Sequence, residues 1–378
     1  MLLICFLKIQ ALCVFLHPTK KFMLKEITSI NIDRTKKSRL HDVDWDNIAF
    51  GKVFSDHMLV MNYMDGDWQT PEIKPFDSIS LHPATSAIHY GQSVFEGMKA
   101  NKNEAGDVLL FRPEMNAKRF AESCERMCMP TIDQDVFLDL VKKIIDIDRE
   151  WVPSKEGFSL YIRPFMFATD SFIGIKPSDN YTFIIFTCPV GFYYSKPLRV
   201  KIEEFYTRAS KGGVGRAKTA GNYGASLYPA KKAKKEGFDQ LIWTDGIEHK
   251  YIEESGTMNI MFVIDGKLIT PSESSDTILR GITKRSVIDI VKKWDIAVEE
   301  REISVDELVF ALEKCRVSEV FGVGTAATVA SISEIAFRNQ IFSLPPVTNK
   351  NISTRVSQHL SDLKLGRIED TMNWSVIV

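Results

Sequence analysis

Short apolar runs bounded by turn residues recur along this chain, and amphipathic helices fall between them without alternating one for one. His57–Tyr63, Tyr181–Cys188, Val200–Tyr206, Gln240–Thr244, Met258–Ile264 and Val317–Phe321 read as strands. Phe137, Leu140, Val141, Ile144, Ile145 and Trp151 follow helical spacing across 133–151, as do Val287, Ile290, Val291 and Trp294 after Thr283. Ser304 with Glu307 makes a capping box ahead of a Val305, Leu308, Val309, Leu312 face, and Val356, Leu360 and Leu363 mark a last helix. Asp265-Gly266, set between Val263-Ile264 and Leu268-Ile269, predicts a type I′ hairpin. A doubly wound sheet demands strict strand–helix alternation, so the expected class is α+β. The 378 residues exceed the ~250–300 at which one core stops growing, which favours two domains. Pro189–Pro197, rich in Gly, Pro and Tyr, is the boundary candidate. It divides 23–195 from 196–378.

Charge and cysteine content narrow the class. Lys plus Arg is 48 against 49 for Asp plus Glu, so the basic excess of a nucleic-acid binder is missing. With 44% hydrophobic and 26% charged residues, a disordered chain and a multi-span membrane protein are excluded. Six cysteines at no framework spacing read as reduced thiols of a cytoplasmic protein. Cys124 and Cys128, one turn apart, are expected in a core. The histidines are scattered and form no ligand pair, so no metal site is expected. The apolar run Met1–Leu16 falls short of the ~20 residues of a membrane span, and Lys20 and Lys21 follow it instead of preceding it. Residues 1–22 are therefore expected to be a disordered or spurious extension, with Met23 as the start.

The segment from Lys211 to Gly224 is the most unusual local feature. Its glycines allow close backbone approach, and Lys218 sits among small neighbours where its amine could be desolvated into a nucleophile for a carbonyl cofactor. Two nucleotide readings compete with this. Gly212 with Ala217-Lys218-Thr219 is a near miss to a P-loop, with Ala217 in place of the last glycine. Gly322-Val-Gly324-Thr-Ala-Ala327 mimics a dinucleotide fingerprint, but its last position is Ala and the acidic residue expected ~20 positions later is missing. A glycine-rich surface turn remains the bland reading. The lysines at 231, 232, 234 and 235 read as a solvated helix face.

Ordered blocks nonetheless run from about Asp46 to the final helix. They are Phe50-Gly-Lys-Val-Phe54; His89-Tyr90-Gly-Gln-Ser-Val-Phe95-Glu-Gly-Met-Lys; Phe111-Arg-Pro; Leu160-Tyr161-Ile-Arg163-Pro; Cys188-Pro-Val-Gly191-Phe-Tyr193; Lys218 to Gly224; Glu253-Glu254-Ser-Gly256-Thr257-Met-Asn259; and Phe321-Gly-Val-Gly324-Thr325-Ala-Ala. With these the chain resembles the class IV (fold-type IV) pyridoxal-phosphate aminotransferases, and among them the branched-chain amino acid aminotransferases. D-Amino acid aminotransferases and aminodeoxychorismate lyases share the lysine and glutamate, but the aromatic blocks and Arg163 argue against both.

The resemblance implies a two-domain α+β fold of the D-amino acid aminotransferase type, with pyridoxal 5′-phosphate at the domain interface. It implies at least a homodimer, with neighbouring subunits helping to close the pocket. Lys218 matches the lysine that bonds to the cofactor, Tyr223 the tyrosine beside the pyridine hydroxyl, and Glu254 the carboxylate on the ring nitrogen. Glu253 could serve only if the register slipped by one. Arg119, Gly281-Ile282-Thr283 and Gly324-Thr325 match the phosphate site. Phe50, Tyr90, Phe95, Tyr161 and Tyr193 match the aromatic substrate pocket, and Arg163 the receiver of glutamate's distal carboxylate. Thr257, Ala326 and Ala327 would hold the α-carboxylate. Some members carry a redox Cys-x-x-Cys after the second phosphate turn; Ala327 and Ala330 stand there instead. The implied substrates are leucine, isoleucine or valine with 2-oxoglutarate. No nucleic acid or membrane partner is expected.

Overall fold

The structure, a computed structural model, describes residues 23–24, 29–191, 193–194 and 196–378; the expected extension over 1–22 lies outside them. Two large sheets organise the chain. The path of the first is Asn31–Ile32, Glu72–Pro75, His57–Met64, Tyr181–Val190, Ser159–Ala168, Met98–Lys102, Val108–Phe111 and Ser375–Ile377. The path of the second is Ile252–Ser255, Gln240–Thr244, Leu198–Ile202, Thr328–Phe337, Val317–Gly324, Met258–Ile264, Lys267–Thr270 and Val298–Glu300. Ile252–Ser255 also pairs with Met258–Ile264, which closes that part of the second sheet into a ring without free edges. The last strand, Ser375–Ile377, returns to the first sheet and pairs with Val108–Phe111.

Both sheets bury one face under helices. Helices Pro113–Arg126 and Gln134–Ile147 lay Phe120, Phe137, Leu140, Val141, Ile144 and Ile145 on the first sheet, against Leu59, Met61, Phe183 and Ile185. Helices Ile282–Lys293 and Ile352–Lys364 cover the second with Val287, Val291, Val356 and Leu360. Side chains alternate along a strand. On Ser159–Ala168, Leu160 and Ile162 therefore enter the first core, while Tyr161 and Arg163 share the opposite face. That alternation delivers two polar side chains to one place. Among the described residues no helix is long and apolar enough to cross a membrane.

Local chemistry explains where elements begin and end. Asp265 and Gly266 take φ of 50° and 77°, the left-handed pair that a type I′ hairpin requires. The expected strand over 200–206 stops at Ile202, because the Glu203 carboxylate accepts from the N–H groups of Phe205 and Tyr206 and turns the chain. Only half of the capping box forms. Ser304 Oγ accepts from Glu307 N at 3.0 Å, but the Glu307 carboxylate is taken by Arg301 at 2.7 Å. Cys124 is fully buried, whereas Cys128 lies past the helix end with φ 55° and is exposed, so only one of the two is a core thiol.

Candidate active site

Residues from both sheets line one cavity of about 220 Å³. The first half contributes Phe50, Phe95, Arg119, Tyr161, Arg163 and Tyr193. The second contributes Lys218, Tyr223, Glu254, Thr257, Gly281 to Thr283 and Gly324 to Ala327. Of the residues matched to the site, only Tyr90 stands outside, as does Glu253, the alternative to Glu254. Tyr90 ends the short helix Ser86–Tyr90, is 43% exposed, and its ring tilts toward His89 at 6.1 Å.

Lys218 precedes the helix Ala220–Lys235, and its backbone is stapled to the first half. Its N–H donates to Ser123 Oγ at 3.0 Å and its carbonyl accepts from Phe95 N at 3.0 Å. Thr219 Oγ1 adds a bond to Ser93 O at 2.7 Å. Held this way, the side chain needs few contacts of its own. Nζ lies 2.9 Å from Tyr223 Oη and 4.9 Å from the centroid of Phe95. An amine beside a phenol, with an aromatic wall behind it, can serve as a nucleophile and proton carrier.

Glu254 and Glu253 are neighbours on Ile252–Ser255 and so face opposite ways; Glu254 lines the cavity and Glu253 does not. Glu254 Oε1 accepts from Leu279 N at 2.7 Å, and Arg208 Nε lies 3.4 Å from Oε2. Burial pushes the Glu254 carboxyl up, and Arg208 and the Leu279 N–H offset this only in part. Glu253 is buried with Oε2 lacking a hydrogen bond, and burial takes its carboxyl up to about 7 against the pull of Thr277 and Arg208.

A stability effect follows from Glu253. Between the ordinary carboxylate value and about 7 the folded chain holds a proton that the unfolded chain has released, so stability falls as pH rises through that window. Glu253→Gln removes the fall. At pH 5 the variant should exceed the wild type by no more than about 1 kcal/mol, and at pH 8 by up to about 3 kcal/mol in urea unfolding. A difference that stays the same at both pH values would refute the assignment.

Arg119, on helix Pro113–Arg126, is locked by a buried carboxylate that sequence reasoning overlooked. Its Nε and Nη2 donate to Glu96 at 2.6 and 2.9 Å, and Nη1 donates to Arg280 O at 3.0 Å. Glu96 also accepts from Asn116 Nδ2 at 2.8 Å and Gly97 N at 3.0 Å. Burial alone would raise the Glu96 carboxyl, but Arg119, Lys218 and Asn116 together hold it below its ordinary value. A guanidinium has five N–H donors, so two remain for a ligand. Beside it the helix Ile282–Lys293 begins, with Gly281 as its N-cap and Gly281, Ile282 and Thr283 lining the cavity, where the first-turn amides of a helix lack intrahelical partners. A Cβ on Gly281 would come within 1.8 Å of Asn259 Oδ1, which explains the glycine. A Cβ on Gly97 would likewise strike the Tyr161 hydroxyl.

The opposite end is aromatic. Phe50 packs edge-on against Tyr161 and Tyr193, both at 5.1 Å. Arg163 lies over Phe95 at 4.7 Å, donates to Tyr161 Oη at 2.9 Å and keeps a buried Nε without a hydrogen bond. The cavity thus offers an amine, a buried carboxylate, a cationic amide-rich end, and an apolar end that contains one shielded guanidinium.

The family model for class IV amino-transferases matches residues 93–335. A branched-chain-amino-acid transaminase of Bacillus subtilis is 44% identical over 340 residues, 89% of this chain and 95% of the relative. The structure of a branched-chain aminotransferase from Thermoproteus uzoniensis with norvaline shows the same fold, with a TM-score of 0.70 at 24% identity, over 85% of this chain and 99% of that one. The T.th. branched-chain amino acid aminotransferase, complexed with N-(5′-phosphopyridoxyl)-L-glutamate, matches with a TM-score of 0.68 at 25% identity, over 84% of this chain and 97% of that one.

Proposed function

This chain belongs to the class IV aminotransferases and is an enzyme of branched-chain amino acid transamination, and we propose that it works on pyridoxal 5′-phosphate held around Lys218. The reaction is reversible amino transfer between leucine, isoleucine or valine and 2-oxoglutarate, giving branched-chain 2-oxo acids and glutamate. One observation carries the cofactor reading. A single cavity holds an amine 2.9 Å from a phenol, a buried carboxylate, and a guanidinium with spare donors at a helix start. That donor set fits a pyridine nitrogen, a ring hydroxyl and a phosphate. The T.th. neighbour, complexed with a phosphopyridoxyl group, supports the same reading.

When bound, the cofactor supplies a conjugated cationic ring that draws electrons from the substrate's Cα. Lys218 Nζ takes and returns the proton at that carbon, and Tyr223 Oη orients the amine between transfers. Glu254 would face the ring nitrogen, where its carboxylate, held by Leu279 N–H and beside Arg208, would keep that nitrogen protonated. Arg119, Gly281-Ile282-Thr283 and Gly324-Thr325 bind the phosphate. Thr257, Ala326 and Ala327 hold the substrate α-carboxylate. Phe50, Phe95, Tyr161 and Tyr193 exclude water from a branched side chain. Arg163, screened by aromatic rings for that guest, offers its unused Nε to the distal carboxylate of 2-oxoglutarate.

The domains we infer, 23–195 and 196–378, with the last strand Ser375–Ile377 crossing back to the first sheet, meet at this cavity. A homodimer is supported by Ile88, Tyr90, Phe172, Ile173 and Ile175, all exposed, on two segments joined by the Thr85–Ser171 bridge. In that assembly Tyr90 would close the pocket of a neighbouring subunit. Four unpaired cysteines among the described residues fit a reducing, cytoplasmic setting.

Visible absorption of the purified enzyme tests the function. The chromophore should change on adding leucine and return with 2-oxoglutarate. In Arg163→Met the leucine half should persist, while the 2-oxoglutarate half slows ~10-fold or more, the loss expected from one charge-assisted contact. No chromophore after adding pyridoxal 5′-phosphate would remove the role given to Lys218. Equal losses in both halves would remove that of Arg163.

A further inference from the structure

A second cavity, of about 200 Å³, lies against the first, and Tyr193, Ala326 and Ala327 line both. Its walls come from the strand Met98–Lys102, the start of Ser159–Ala168 and the last turns of helix Ile352–Lys364. Two lysines face into it and no carboxylate is among its lining residues. Lys99 Nζ donates to Ala326 O at 2.9 Å. Lys364 Nζ rests over the Phe111 ring at 5.0 Å, with no hydrogen bond or ion pair among the described residues. Acids close in sequence to these walls have other partners. Arg367 holds Glu156 at 3.0 Å and Asp362 at 3.9 Å, and Gln358 also bonds Asp362. Asn101, 8% exposed, lines the same cavity with its Nδ2 unpartnered.

Among the described residues the Lys364 ammonium and the Asn101 amide find no acceptor, and the Lys99 ammonium has only the uncharged Ala326 carbonyl, so no anion answers the two cations. Buried charges are ordinarily paired, so this cluster lacks its complement. Burial takes Lys99 down to about 8 and Lys364 to about 7, with Lys99 pushing Lys364 further. None of these three residues has a part in the amino-transfer reaction above. We propose that the second cavity is a binding site for a small dianion, a dicarboxylate or a phosphate, seated between Lys99 and Lys364 with the Asn101 amide as third donor.

Calorimetric titration of the holoenzyme with succinate in one arm and inorganic phosphate in the other tests this. At least one anion should bind saturably, and at pH 8 its binding should take up protons, so that the heat depends on the buffer. Lys364→Met should weaken binding ~10-fold or more, Lys364→Arg should retain it, and Arg163→Met should leave it unchanged. Saturation by only one of the two anions identifies the class. The proposal is overturned if neither anion saturates, or if Lys364→Met binds as the wild type does. It is equally overturned if Arg163→Met abolishes the binding, because the anion then sits in the first cavity.

Discussion

Lys218→Ala should abolish multiple-turnover amino transfer while the fold persists. The variant loses a nucleophile and a proton carrier together, and a positioned proton carrier alone contributes ~10²–10⁴-fold, so turnover should fall by at least ~10⁴. The fold should not depend on this side chain. Lys218 is stapled through its N–H to Ser123 and through its carbonyl to Phe95, and alanine keeps both bonds. Among the described residues the amine's only hydrogen bond is to Tyr223, whose ring stays packed on Phe95 at 4.8 Å. The far-UV spectrum and melting temperature of the variant should therefore stay close to those of the wild type. Sustained turnover of leucine with 2-oxoglutarate above a hundredth of the wild-type rate would sink the role of Lys218.

Much of this was readable from local sequence, because the informative residues act over short spans. The type I′ turn at Asp265-Gly266 needs only two positive φ values. Tyr161 and Arg163 share a face because strand side chains repeat every second residue. The strand from Leu198 ended early because Glu203 turned to its own neighbours' N–H groups, a choice that β-propensity does not register. The half-formed cap at Ser304 has the same kind of cause, since Arg301 competed for Glu307. What stayed hidden depends on contacts across the chain. Arg208 meets Glu254 only after the second sheet closes, and Lys99 meets Lys364 only after the last helix docks. No periodicity or motif marks such pairs. Glu96 could have been suspected as a lone acid in the block Phe95-Glu-Gly, but its partner lies 23 positions on.

Glu96→Ala should be the most destabilising single change at the site. Glu96 is fully buried and meets Arg119 through both carboxylate oxygens, with Asn116 and Gly97 completing its shell. Removing it strands a guanidinium that is 7% exposed, and breaking one partner of a buried pair costs about 3–5 kcal/mol. The pH dependence has a definite sign. The Glu96 carboxyl is held below its ordinary value, so its stabilisation is complete above that value and is lost as pH falls through the folded one. Wild type and variant should thus differ most at neutral pH and converge in acid. The cofactor adds a second discrimination. If Arg119 holds a phosphate, bound pyridoxal 5′-phosphate gives the stranded guanidinium a new counter-charge, and the variant should recover part of its loss. Urea unfolding with and without saturating cofactor measures this directly. A deficit that shrinks with cofactor places the phosphate on Arg119; the same deficit in both would separate Arg119 from the phosphate and leave the helix start at Gly281 and the Gly324-Thr325 turn to bind it alone.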